Sequence, residues 1–310
     1  MKITVVGGAG AMGAVWASRL SDAGHDVAIL DVAKEALTAI ARDGLIVEQK
    51  DGTPRTFQIK ATDDATAIGQ SEIVIFFTKS HHTEAAASLA RPLVGPDSTV
   101  ISLQNGWGNS DRLATIFPPE QMAMGVSYHS AKVLAPGRIA HTSDTGPTFV
   151  GPYQSDKSIE RAQGVGDALN GGGIQTIVTA DITTEVWKKL ILNCATLPVS
   201  GLTRLTTGGM GQHAGIGALG DELAREAAAV ARGLGLNIDD EERLTTIHNQ
   251  LAVAGPGKAS MLQDVEAQRK TEIEVVNGAV VREGDRLGIP VPLNRAMVAL
   301  IGGLEQSWRT

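Results

Sequence analysis

The sequence predicts an α/β chain, with an N-terminal doubly wound, mostly parallel sheet followed by an all-helical C-terminal domain. Three observations predict it. Short β-branched runs alternate with helix-periodic segments through the first half, a glycine-rich turn joins the first run to the first helix, and beyond residue 180 the segments are long and helical. In order, the run 3–6 reads as a strand and 11–23 as a helix. A strand at 26–30 and a helix at 33–42 follow. Two polar-alternating strands at 45–48 and 56–60 flank Gly52 as in a hairpin. Residues 72–78 (EIVIFFT) read as a fully buried strand, 82–93 as a helix, 99–103 and 176–179 as strands. The glycines 171–173 cap a helix ahead of that last strand. The helical part is expected at 184–195, 217–234, 239–252, 260–287 and 293–308.

Composition narrows the function classes. A chain of 310 residues that is 43% apolar and 20% charged is ordinary globular protein, with length for two domains. A formal charge of −7 provides no overall basic face, so neither nucleic acid nor an anionic membrane surface is an expected partner. The one cysteine, Cys194, excludes an intrachain disulfide and fits a reducing, cytoplasmic compartment. No stretch approaches ~18 uninterrupted apolar residues, so no membrane span is expected. The N-terminal apolar run is broken by Gly7, Gly8, Gly10 and Gly13, unlike a secretory signal.

Gly8-Ala9-Gly10-Ala11-Met12-Gly13 matches G-x-G-x-x-G between a strand and a helix. In that context the glycines permit a tight turn, close backbone approach to a pyrophosphate, and close packing of helix on strand. The helix N-terminus adds partial positive charge beneath the phosphates. Asp31 ends the second strand, where a carboxylate accepts from a ribose 2′-OH and repels a 2′-phosphate. The cofactor is therefore expected to be NAD; nearby Lys34 leaves NADP open. Residues 1–180 are read as a dinucleotide-binding Rossmann-type domain and 181–310 as a helical catalytic and dimerisation domain.

An enzyme that moves hydride to a carbonyl carbon also needs a proton donor for the oxygen. In Glu185-Val186-Trp187-Lys188-Lys189-Leu190-Ile191-Leu192-Asn193-Cys194, Lys189 and Asn193 share a helix face while Lys188 points about 100° away, towards solvent. Spacing alone favours the plainer alternative, a solvated lysine on an amphipathic helix.

Further runs bear on that choice. They are Phe77-Thr78-Lys79-Ser80, Leu103-Gln104-Asn105-Gly106, and Ser260-Met261-Leu262-Gln263-Asp264 through Thr271-Glu272-Ile273. With the glycine loop and the lysine helix, they make the chain resemble the ketopantoate reductase family, in order and over nearly its whole length. The resemblance implies an NAD(P)-dependent reductase interconverting a small 2-oxo acid and a 2-hydroxy acid, working as a homodimer without a metal. It implies that Lys189 is the general acid and also meets the substrate, with Asn193. Ser260, Met261, Leu262 and Gln263 would line the substrate site. Lys79 and Asn105 would lie near the cofactor and the reacting centre, with Ala131 packing on the cofactor, and Glu272 at the nicotinamide end, contacting cofactor or substrate. On one straight helix Ser260 and Glu272 lie about 18 Å apart, which divides them between substrate and cofactor. Alternatively, Glu272 is an ordinary helix residue paired with Arg269 or Lys270.

Where the family carries further amides, this chain has Leu197, Thr207 and Gly257. A lost partner for a substrate hydroxyl costs about 1–3 kcal/mol. Together with Asp31, this keeps open an NAD-dependent catabolic dehydrogenase of another hydroxy acid or alcohol. A non-catalytic NAD-sensing module is the remaining alternative, disfavoured by the presence of Lys189, Asn193 and Glu272 together. His81, His82 and His129 stand near loops where a ligand contact is conceivable, and Cys194 reads as packed core.

Overall fold

The computed structural model describes residues 1–154 and 159–308. The chain divides into two compact units, Met1–Gln104 with Asn109–Ile182, and Asn105–Gly108 with Thr183–Thr310.

The first unit opens with β1 (Lys2–Val6), α1 (Ala11–Asp22), β2 (Asp26–Leu30) and α2 (Lys34–Asp43). It continues through β3 (Leu45–Glu48), β4 (Pro54–Phe57), β5 (Lys60–Thr62), α3 (Ala65–Ile68), β6 (Ile73–Phe76), α4 (Thr83–Ala90) and β7 (Thr99–Ser102). Then come α5 (Asn109–Ala114), β8 (Met122–Val126), β9 (His129–Ala135), β10 (Arg138–Asp144), β11 (Thr148–Pro152), α6 (Glu160–Gly171) and β12 (Thr176–Val178). Eight strands form one sheet in the order β12-β11-β8-β7-β6-β1-β2-β5. Every neighbouring pair in it is parallel except β11 with β8. Strand residues are buried on both faces: Ile3, Val5, Ile73 and Ile75 join one core with Trp16 and Leu20, while Val6, Val74 and Phe76 join another with Leu93 and Leu113. That is why these strands read as continuous apolar runs.

A second sheet, β4-β3-β10-β9, was not legible as such. The expected strand 56–60 is two strands: β4 ends at Phe57 in the small sheet and β5 begins at Lys60 in the large one. The small sheet closes on α1, with Leu45, Val47 and Ile139 in the same core as Trp16 and Leu20. Gly52, at φ +84°, turns the β3–β4 hairpin as expected.

The second unit is helical. Its elements are α7 (Ile182–Thr203), which starts at the last residue of the first unit, α8 (Thr207–Gly211), α9 (Ala214–Gly233) and α10 (Asp240–Val253). They are followed by α11 (Ser260–Glu266), α12 (Asn277–Leu287) and α13 (Pro292–Ser307). α7 continues through Pro198, whose missing N–H frees the carbonyl four residues back, on Cys194. The buried Asn277 side chain donates to that carbonyl at 3.2 Å, so a tertiary hydrogen bond replaces the lost helical one.

The expected single helix 260–287 is broken. The chain leaves α11 at Glu266, passes through Gln268 at φ +49°, and regains helix only at Asn277. The intervening segment is tied by Glu305 of α13, which accepts from the Thr271 backbone N–H at 2.8 Å and hydroxyl at 2.6 Å. The straight-helix separation of Ser260 and Glu272 therefore does not hold.

Candidate functional site

In the first unit, the glycine loop follows β1 directly. The left-handed residue is Gly7, at φ +78°, one position ahead of the motif's first glycine, which was expected to make the turn. The later glycines serve close approach: a Cβ on Gly8 would stand 2.8 Å from Ile29 Cγ1, and one on Gly13 would stand 2.5 Å from the Gly7 carbonyl oxygen. α1 begins at Ala11 with Gly10 as its N-cap and no side-chain cap, so its first N–H groups, at Ala11 and Met12, keep their donors for a ligand. A pyrophosphate fits such a cradle.

Asp31 stands one residue beyond β2, and its carboxylate is already engaged. One oxygen accepts from Ala9 N–H at 2.9 Å, the other from Ala33 N–H at 3.0 Å. Each oxygen retains a second lone pair. The neighbouring cation, Lys34, is ion-paired with Asp63. Lys79 is partly buried where a 3₁₀ turn begins after β6, and its carbonyl accepts from His82 N–H. Ala131 lies in β9 opposite His141 and packs on the core that contains Trp16.

His129 is a core histidine. Its Nδ1 lies 3.2 Å from His141 Nε2, the two rings stack 5.3 Å apart, and its edge meets Trp16. Burial, then the charge on His141, push its pKa down to about 4. His81 and His82 are exposed and meet edge to face at 4.2 Å. Among the described residues no group of three or more His, Cys, Asp or Glu is placed to hold a metal ion.

In the second unit, α7 carries Lys189 into a partly buried position. Its ammonium donates to Asn105 Oδ1 at 2.9 Å. Burial lowers its pKa to about 8, and the Glu272 carboxylate opposes that shift. Glu272 itself is 8% exposed. Asn193, four residues on, is 7% exposed, and its side chain has no hydrogen-bond partner among the described residues. The structure thus brings Lys189, Asn105 and Glu272 together from three separate stretches of chain, with Asn193 on the same helix face as Lys189.

Other expected site residues fall differently. Lys188 does not run free into solvent: its side chain is 24% exposed and donates to Glu185 at 2.8 Å. Met261 and Leu262 are buried in the helical unit, at 2% and 0% exposed. Ser260 opens α11 exposed, and Gln263 donates to the Lys258 carbonyl at 3.0 Å. Arg269, offered as a partner for Glu272, lies 3.3 Å from Asp264. Cys194 is fully buried and its thiol is pushed well above the usual range by that burial. The sequence placed Asn105 and Lys189 at one reacting centre but not in direct contact; their hydrogen bond and the packing of Trp107 against Trp187 were unforeseen. The common signal is that both come from the segment after Gln104, whose asparagine and tryptophan lie two residues apart.

The ketopantoate reductase PanE/ApbA model matches residues 3–155, and the model of that family's C-terminal domain matches 181–305. The 2-dehydropantoate 2-reductase of Pyrococcus abyssi is 30% identical over 308 residues, covering 98% of each chain. That of Halobacterium salinarum is 29% identical over 298 residues, covering 96% of this chain and 97% of its own. Among solved structures, the 2-dehydropantoate 2-reductase of Geobacter metallireducens superposes with a TM-score of 0.91 at 26% identity, over 99% of this chain and all of its own. D-mandelate dehydrogenase with NADH and anilino(oxo)acetate shares the fold at a TM-score of 0.94 and 23% identity, each chain fully covered. This chain belongs to the ketopantoate reductase family and is an NAD(P)-dependent oxidoreductase of it.

Proposed function

We propose that the protein interconverts a small 2-oxo acid and its 2-hydroxy acid, using NAD in preference to NADP, with Lys189 as the general acid–base. One observation carries the reading: a partly buried ammonium, bonded to Asn105 and opposite the buried Glu272 carboxylate, with its pKa lowered to about 8. A group poised near the working pH both gives and takes a proton. A nicotinamide cofactor, held by the glycine loop and Asp31, would supply the hydride to the carbonyl carbon in reduction and receive it in oxidation. Lys189 Nζ then donates its proton to the carbonyl oxygen, and its positive charge stabilises the developing alkoxide. Glu272 favours the ammonium form, and Asn105 directs it. The unpartnered Asn193 amide and the exposed Ser260 hydroxyl are the groups we assign to the substrate's polar end. Ala9 to Gly13, Asp31, Lys79 and Ala131 are assigned to the cofactor, with Asn105 and Glu272 at its reacting end.

The positions where the family carries further amides offer fewer hydrogen-bonding groups here. Leu197 is buried where an amide is usual, and Thr207 and Gly257 are spent on each other, the Thr207 N–H and hydroxyl donating to the Gly257 carbonyl at 3.0 and 3.2 Å. These residues favour a 2-oxo acid without the distal hydroxyl of ketopantoate. A panel of 2-oxo acids with NADH, ketopantoate included, identifies it. On the best substrate Lys189→Ala should lower kcat by at least about 10²-fold with NADH affinity unchanged. Lys188→Ala, which removes only the pairing with Glu185, should retain most activity; equal losses would refute the acid assignment. Reduction should be fastest below pH 8 and decline as Lys189 deprotonates through about 8, while oxidation rises over the same range. Assembly is proposed to be a homodimer through the helical unit, so light scattering at micromolar concentration should give twice the 32.3 kDa chain mass.

A further inference from the structure

The three groups of the acid site are each followed or preceded, two or three residues along the chain, by a residue that takes part in a single packed knot. Asn105 is followed by Gly106 and Trp107, Lys189 is preceded by Trp187, and Glu272 is followed by Val275. The rings of Trp107 and Trp187 lie 5.7 Å apart at 55°. The Trp107 N–H donates to the Val275 carbonyl at 2.8 Å, and Val275 N–H in turn donates to the Glu272 carbonyl at 3.1 Å. Gly106 holds φ +87° against Val275, where a Cβ would meet the Val275 carbonyl oxygen and stand 2.6 Å from its Cγ2. Trp187 is wholly buried, and its indole N–H has no hydrogen-bond partner among the described residues, so the ring is there for packing.

We propose that Trp107 is a positioning residue for the general acid: its ring on Trp187 and its N–H on Val275 fix the Asn105 carboxamide on the Lys189 ammonium and keep water from it. The inference rests on Lys189 being the acid. The charged group acting on Lys189 is Glu272, from the segment between α11 and α12; on its own helix the neighbouring Lys188 is held by Glu185, and the 105–108 segment contributes the neutral Asn105. Releasing that segment admits water, which relieves the burial that lowers the Lys189 pKa.

Competitive acetylation across pH, read at each lysine by mass spectrometry on the intact ligand-free protein, reports the titration of Lys189 without needing a substrate. The midpoint should lie near 8 in the natural protein. In Trp107→Ala it should rise by at least one pH unit towards the ordinary 10.5, with Lys188 unmoved. Trp107→Phe, which keeps an aromatic ring and the same backbone, should stay near 8. A midpoint unmoved in Trp107→Ala, or one shifted as far in Trp107→Phe, overturns the proposal. Circular dichroism checks folding; if the alanine variant fails to fold, Trp107→Leu keeps apolar volume without the ring and is held to the same outcomes. A Lys189→Ala enzyme that kept its activity would sink the acid assignment and leave this titration standing. A titration unmoved by Trp107→Ala, in a protein that Lys189→Ala inactivates, would sink this inference alone.

Discussion

Asp31 does two things at once. Its oxygens hold the N–H groups of Ala9 and Ala33, which ties it to the glycine loop, and in the proposed cofactor assignment its charge would repel a 2′-phosphate. The one cation close by in sequence, Lys34, is neutralised by Asp63, whose own pKa is lowered chiefly by the hydrogen bond from Lys34. NADH should therefore bind at least about tenfold more tightly than NADPH, a difference of about 1.4 kcal/mol. Asp31→Asn, which retains one acceptor for the loop, should narrow the gap mainly by improving NADPH. Fluorescence titration of both cofactors decides it; equal affinities in the natural protein would defeat the assignment. Positions of this kind were legible because they are local: a carboxylate at a strand end follows from the strand. Met261 and Leu262 were not, because burial depends on which way a short helix is rolled against partners far away in the chain.

Elements divide along the same line. Strands β1, β2, β6 and β7 of the large sheet announce themselves as apolar runs, whereas β8 (MAMGV) and β11 (TFVGP), buried in the same sheet, were not read as strands, and β9 (HSAKVLA) is exposed along most of its length and pairs with β10 across irregular register. Nothing in its sequence distinguishes it from a loop. The break between α11 and α12 likewise lacks a proline or glycine between Ala267 and Val276; its cause is the tie from Glu305, a partner 34 residues beyond Thr271. The small sheet also stores an acid sensitivity. His129, with a pKa of about 4 against 6.5 when unfolded, binds its proton later than the unfolded chain as pH falls. The groups around it are His141, Asp144, Arg19 and Lys50, of which only Asp144 favours the charged form. Stability is thus fully present above pH 6.5 and is lost as pH falls towards 4. His129→Phe should flatten that loss, measured as the urea midpoint at steps of pH; two curves falling in parallel would show that the histidine pair is not its source.

At the scale of the molecule, the buried side chains sort by unit. Two apolar clusters, on the two faces of the large sheet, draw only on the first unit, and the third, around Trp187, Leu223 and Ile301, draws only on the second. A unit that closes its own core can open on its own. The groups assigned to NADH are concentrated in the first, in the loop between β1 and α1 and at Asp31. A ligand present at about a hundred times its Kd stabilises the form that binds it by about 2.7 kcal/mol. That corresponds to about a hundredfold slower exchange for amides that become exposed only when that form opens. Hydrogen exchange with and without NADH should therefore show slowing of about this size in β1, β2 and β6. The core amides of α9 and α10, which belong to the other cluster, should change far less. Equal slowing in both sets would mean that the two cores open as one cooperative body, and the separate clusters would then have no thermodynamic counterpart.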